Sequence, residues 1–149
     1  MQGKSKKKFI GKYPCTLDDK SRLTIPSKFR DLVPGAKGAK TLVISKGKEH
    51  CIYLFTKDYF DWIIEQLGLL PPGPQRRNLV RYYSSESENL TVDKVGRVQM
   101  PANYLEAFGL SKSCVVVGGL THMEVWKPEE FEKIMKDADD AYHGGEWQL

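Results

Sequence analysis

The sequence predicts a mainly β protein with flanking helices, an α+β fold built from two copies of one small module. Three observations carry this: a long internal repeat, short apolar strand-like runs bounded by turn residues, and a helix-period apolar stripe closing each copy. Each copy spans about 50 residues, too few to bury a good core alone. The strands of one copy should therefore pair with those of the other, giving one pseudo-twofold, β-barrel-like body with helices on its flanks.

The repeat is read directly. Asp18-Asp19-Lys20-Ser21-Arg22-Leu23-Thr24-Ile25-Pro26 returns 75 positions later as Asp93-Lys94-Val95-Gly96-Arg97-Val98-Gln99-Met100-Pro101. Both copies read D-x-x-x-R, then apolar, polar, apolar, Pro. Farther on the offset falls to 71, as a shorter loop in the second copy requires, and Ile52-Tyr53-Leu54-Phe55 faces Met123-Glu124-Val125-Trp126. Phe60, Ile63, Ile64 and Leu67 then face Phe131, Ile134, Met135 and Ala138. Both sets fall at i, i+3, i+4, i+7, the buried stripe of an amphipathic helix.

Local chemistry orders the elements. Strands are expected over 13–17 and 23–25, flanking a tight D-x-x-x-R turn. Pro26 has no amide hydrogen and ends that ladder, and Ser27 is suited to cap a short helix reaching about residue 32. Pro34-Gly35 and Gly38 make a loop, and strands over 41–45 and 51–55 enclose Lys46-Gly47-Lys48. Thr56 is placed to cap a helix over 57–68. Pro71-Pro72-Gly73-Pro74 breaks the chain before a helix over 75–83 that carries Arg76, Arg77 and Arg81. The second copy repeats the order, with strands near 90–92, 98–100, 114–117 and 123–126, Gly118-Gly119 as a hairpin turn, and a helix over 128–137. Pro128 lies in that helix's first turn, where a missing amide costs least. The organisation is thus a basic arm over 1–11, a first module over 12–70, a linker and helix over 71–87, a second module over 88–138, and a flexible tail over 139–149.

Composition narrows the function. The 149 residues carry a net charge of +4, but residues 1–50 hold 13 Lys/Arg against 4 Asp/Glu, whereas residues 51–149 hold 10 against 15. A basic half joined to an acidic half suits a polyanion on one face and self-association or solvent on another. No apolar run approaches the roughly 18 residues that a membrane span needs. Cys15, Cys51 and Cys114 are odd in number and lack CxxC spacing, so reduced thiols and a cytoplasmic location are expected. His50, His122 and His143, even with Cys51, do not have ligand spacing, so no metal is expected. Asp18-Asp19 does not make an acid–base pair, and no phosphate-cradling or nucleophile-elbow motif occurs. No catalytic site, cofactor or small-molecule substrate is therefore expected.

The run TLDDKSRLTIPSKFR, with VDKVGRVQMP in the second copy, closely resembles the MraZ family, bacterial regulators of the division and cell-wall gene cluster that are related to AbrB and MazE. The resemblance covers about residues 9–137. It implies a double-split β-barrel of two swapped-hairpin modules, ring-shaped homo-oligomers, a nucleoid-associated place in the cytoplasm, and binding to short direct repeats in promoter DNA. It also implies that the D-x-x-x-R loops face DNA, which here selects Asp18, Arg22, Asp93 and Arg97. Two departures stand out: Ser21 occupies a position that is usually Gly, and Ser84-Ser85-Glu86-Ser87 replaces a Ser-Gly-Ala step.

The residues themselves point the same way. Arg22 and Arg97 each offer a planar five-donor fork suited to phosphate oxygens or to guanine O6 and N7. The preceding Asp can accept backbone amides across the turn and hold the fork. Lys20 and Lys94 add charge beside it, with Lys12 and Lys28 as further candidates. The plainer reading of the motif is an Asp–Arg pair that merely staples a hairpin, and the alternative function is an oligomeric assembly or antitoxin-like protein whose DNA contact is secondary. The lysine-rich start, Lys4 to Lys8, fits a DNA-following arm or a solubilising tail.

Overall fold

A computed structural model describes residues 8–145. Along the chain run β1 (Lys12–Thr16), β2 (Arg22–Thr24), α1 (Ser27–Arg30), β3 (Lys40–Lys46), β4 (Ile52–Thr56), α2 (Lys57–Gly68) and α3 (Pro74–Ser85). There follow β5 (Ser87–Val92), β6 (Arg97–Gln99), α4 (Ala102–Ala107), β7 (Ser113–Gly118), β8 (Met123–Trp126) and α5 (Pro128–His143). The fold is α+β, as expected.

Six strands form one antiparallel sheet in the order β1-β7-β8-β4-β3-β5, and β2 pairs with β6 in a separate two-stranded ribbon. The order is symmetric about the β8–β4 seam, where Tyr53 lies opposite Glu124. Each edge strand pairs with a strand from the other half of the chain, β1 with β7 and β5 with β3. The ribbon is symmetric in the same sense: Leu23 faces Val98, Arg22 faces Gln99, and Thr24 faces Arg97.

The barrel expected from the resemblance is not closed. Strands β1 and β5 remain sheet edges, and each leads through its turn into a ribbon strand that pairs with the other ribbon strand. Among the described residues, an isolated Leu17–Leu23 bridge ties ribbon to edge on the β1 side. Pro14 suits this edge. The Leu17 amide bonds Lys112 O at 2.8 Å and the Gly118 amide bonds Gly11 O at 2.8 Å, so odd-numbered residues of this segment face β7. The missing amide of Pro14 therefore falls on the open side, where no ladder bond is lost.

Period-two alternation divides the apolar residues between the two faces of the sheet. The inner face presents Leu42, Ile44, Ile52, Leu54, Val92, Val116, Met123 and Val125, all buried. The ribbon closes over it with Leu23, Ile25, Val98 and Met100, joined by Phe29 of α1 and Tyr104 of α4 in the same core. On the outer face Cys51, Val115 and Trp126 are buried, with Phe131 and Ile134 of α5 packed against them. Buried polar atoms are satisfied on both faces: Ser45, 1% exposed and opposite in direction to Ile44, bonds Ser87 Oγ at 3.0 Å, and the Tyr104 hydroxyl donates to Glu86 O at 2.7 Å.

Helix ends follow local chemistry in part. Thr56 caps α2 by accepting the Tyr59 amide at 3.2 Å, and Pro128 opens α5. Ser27 does not cap α1. The N-cap is Pro26, without a side-chain bond, because the extended backbone of Pro26 leads straight into the turn and the amides of Phe29 and Arg30 are already used on the Pro26 carbonyl. Helix α4 answers α1 in the second half and opens after Pro101 in the same way. Helix α5 continues to His143, so residues 139–143, expected to be a loose tail, are helical. Ala138 and Ala141 favour helix and carry it past Asp137. Strand β5 begins at Ser87 rather than residue 90, since α3 ends at Ser85, where the Ser85 hydroxyl donates to Arg81 O at 2.6 Å. Most of the lysine-rich start (residues 4–7) and the last four residues (146–149) lie outside the described residues.

Candidate nucleic-acid interface

The two D-x-x-x-R segments fold into one repeated frame. Asp18 Oδ1 accepts the amides of Lys20 and Arg22, both at 2.9 Å, while Oδ2 accepts Arg22 Nε at 2.7 Å. Asp93 does the same, with Oδ1 on the amides of Val95 at 2.9 Å and Arg97 at 2.8 Å, and Oδ2 on Arg97 Nε at 3.0 Å. Backbone bonds close each turn: the Ser21 amide to Asp18 O at 2.9 Å and the Gly96 amide to Asp93 O at 3.0 Å. The carboxylate thus satisfies the inside of the turn and fixes the arginine at its end.

The fourth turn residue is left-handed in both copies, Ser21 at φ 60° and Gly96 at φ 97°. Glycine adopts this conformation without steric cost, whereas Ser pays for its Cβ. The departure at Ser21 thus keeps the turn's shape at some local strain.

Electrostatics follow from the same bonds. The Arg22 backbone amide, helped by the Arg22 guanidinium and the Lys20 amide, holds the Asp18 carboxyl below its ordinary 3.8. Asp93 is lowered in the same way, first by the Arg97 amide. Both carboxyls therefore stay ionised further into acid than a free aspartate and keep both guanidinium groups oriented. Arg22 and Arg97 remain 30% and 29% exposed. Only Nε of each is bonded to the Asp, so among the described residues the terminal amino groups hold no protein partner and are open to an anion.

Two further side chains complete the frame, and sequence reasoning missed both. Gln99 Nε2 donates to Lys20 O at 2.7 Å, and Arg30 Nη1 donates to Val95 O at 2.7 Å. Each brace comes from the opposite half of the chain. The backbone also crosses, with the Ile25 amide on Gly96 O at 2.9 Å and the Met100 amide on Ser21 O at 3.0 Å. The signal was present in the repeat: Gln99 stands where the first copy has Thr24, and Arg30 where the second has Leu105. Both braces lie at positions where the duplication breaks.

The remaining candidates scatter. Lys20 and Lys94 are exposed in the turns, and Lys28 is exposed on α1. Lys12 lies instead at the far end of β1, with Nζ 5.7 Å from the centre of the Phe131 ring, so it does not join the turns. His50 packs edge-on against Phe108, and His122 bonds Glu124 at 3.1 Å. Among the described residues no group of three or more His, Cys, Asp and Glu is placed to hold a metal ion, and no helix is long and apolar enough to cross a membrane. The three cysteines form no disulfide, with Cys51 and Cys114 buried and their thiols pushed up chiefly by that burial.

The symmetric sheet, the crossing ribbon and the paired arginine turns define a duplicated α+β protein with two matched Asp–Arg loops on one body. Residues 9–71 and 84–143 match the family model described as "MraZ protein, putative antitoxin-like". The chain is 34% identical over 143 residues to the transcriptional regulator MraZ of Lachnoclostridium phytofermentans, covering 95% of this chain and 98% of that one. It is 36% identical over 124 residues to that of Limosilactobacillus fermentum, covering 83% of each chain. The chain belongs to the MraZ family.

Proposed function

We propose that this chain is a sequence-specific, DNA-binding transcription regulator whose Arg22 and Arg97 turns face the duplex. The observation that carries the reading is the duplicated frame, in which a carboxylate spends itself on the turn and on Nε while the terminal amino groups stay open. A hairpin staple needs no such exposure and no second copy. Arg22 and Arg97 read guanine edges or grip phosphate, with Asp18 and Asp93 as their positioning partners, and Lys20 and Lys94 supply charge to the backbone. The relatives' names as transcriptional regulators support the reading.

On this reading the target is a set of short direct repeats upstream of the division and cell-wall gene cluster, and the protein is nucleoid-associated in the cytoplasm. The exchange of edge strands supports two swapped-hairpin modules, over 12–70 and 88–138, joined by the linker and helix over 71–87. A ring-shaped homo-oligomer presents several turns to one duplex. Charge supports that assembly: α3 carries Arg76, Arg77 and Arg81 with no acidic residue inside it, whereas α5 carries six acidic residues against two lysines. Neither helix has a buried residue, and Val80, Tyr82, Met135 and Tyr142 are exposed on them. Basic α3 of one copy on acidic α5 of the next is a head-to-tail contact, which closes a ring when the rotation permits.

Footprinting the purified protein on the DNA upstream of its own gene tests the function. Protection is expected over regularly spaced repeats, with affinity falling by roughly −0.9 in log–log slope per neutralised phosphate as salt rises. A second repeat in helical phase should raise affinity well beyond one repeat, and a half-turn shift should remove the gain. Uniform, sequence-independent protection would contradict the reading.

A further inference from the structure

The two turns share a frame but carry different tips. At the third turn position the first copy has Lys20 and the second has Val95. Val95 is 61% exposed. Single exposed apolar residues are common and by themselves mean nothing. The setting of Val95 is what differs. Its amide is bonded to Asp93 Oδ1 at 2.9 Å and its carbonyl to Arg30 Nη1 at 2.7 Å, so the backbone is held on both sides. A β-branched side chain on a fixed backbone has few rotamers left, so the isopropyl group is presented in a set direction. Behind it Gly96 is buried, and a Cβ there would overlap the Arg30 guanidinium. This tip lies between Lys94 and Arg97, within the surface assigned to DNA.

We propose that Val95 is a specificity-determining residue that packs on the 5-methyl group of thymine in the major groove, with Arg30 as its positioning residue. The inference rests on the DNA-binding reading above. In the major groove, thymine is the base that offers a methyl group, and small apolar side chains are its natural partners. Lys20, in the same frame braced by Gln99, is a long flexible cation that suits phosphate or guanine acceptors instead. Two identical tips related by a pseudo-twofold axis would favour a palindrome. A lysine tip and a valine tip read a site with a direction, which is what a direct repeat requires.

The test begins with duplexes selected by the wild-type protein from a randomised pool. The recovered sequence is then synthesised with each thymine replaced in turn by deoxyuridine, which keeps base pairing and removes only the methyl. At one or two thymines the wild type is expected to lose about fourfold in affinity, the effect of returning one methyl-sized group to water. Val95→Ala should bind the unmodified duplex more weakly and be indifferent to those replacements. Val95→Lys should select a sequence without the thymine preference. Arg30→Lys keeps the charge but not the rigid guanidinium that donates Nη1 to the Val95 carbonyl, so it should retain most affinity and lose the uracil sensitivity. If the wild type selects a sequence and no deoxyuridine weakens binding, the Val95 assignment is wrong and the DNA-binding reading stands. If Arg30→Lys keeps the full sensitivity, Arg30 does not position Val95. If the wild type selects no sequence, the DNA-binding reading itself falls.

Discussion

The first and second turns differ in how each tolerates the same backbone. In the first, Ser21 holds φ 60° and the brace is a neutral amide from Gln99; in the second, Gly96 holds φ 97° beneath the Arg30 guanidinium. The Asp, the Arg and the closing amide bonds are nearly superposable in length between the copies. Duplication has therefore kept the part that fixes the arginines. What changed is the tip and its support, so on the proposed function the two turns are equivalent as anchors and unequal as readers.

Substitutions can break that comparison, beginning at the ribbon that carries both turns. Leu23 is 0% exposed and Val98 1% exposed, facing each other on the pseudo-twofold axis. Leu23→Ala is expected to cost about 3 kcal/mol and Val98→Ala about 2 kcal/mol, read as shifts in urea midpoint at constant slope. Because the two ribbon strands pair with each other along their length, either change should loosen both turns together. Loss of order in one turn alone, seen by amide exchange, would show that the turns are independent.

The two left-handed positions should respond differently from each other. Gly96→Ser must adopt a strained φ and displace Arg30, costing about 2 kcal/mol. Ser21→Gly removes a Cβ from a left-handed residue but loosens the unfolded chain, so it should be neutral or stabilising by about 0.5 kcal/mol. Equal effects at the two sites would mean that the frames are more alike than their φ values indicate.

Acid gives the smallest expected effect. Both carboxyls lie below their ordinary 3.8 when folded, so their contribution is present above that value and is lost as pH falls through the lowered ones. Thermal midpoints measured between about pH 2 and pH 5 should fall with acid, and Asp18→Asn with Asp93→Asn should flatten that fall. A double variant with unchanged acid sensitivity would assign the loss to other carboxylates.

Much of this was legible in the sequence because it is local. The repeat exposed both turns, Thr56 and Pro128 marked helix starts, and period-two runs marked the strands that became the sheet. What was not legible depends on partners distant in the chain. Arg30 acts 65 residues away and Gln99 79 residues away, and nothing in their neighbours announces it. The open sheet edges were equally hidden, since alternation fixes which face of a strand is buried but not whether its edge finds a partner. The extension of α5 past Asp137 runs through Asp139 and Asp140, poor helix formers whose neighbouring alanines prevail.

The central claim is that Arg22 and Arg97 grip DNA through amino groups left free by their aspartates. Its most direct test is operator affinity of Arg22→Ala, Arg97→Ala and the double variant, each checked for an unchanged unfolding midpoint and assembly size. Each single change is expected to weaken binding by about 1–3 kcal/mol per base-reading contact, with little loss of stability because the turns are half exposed. A double variant that stays folded and assembled and binds at wild-type strength would contradict the account and move the interface to Arg76, Arg77 and Arg81.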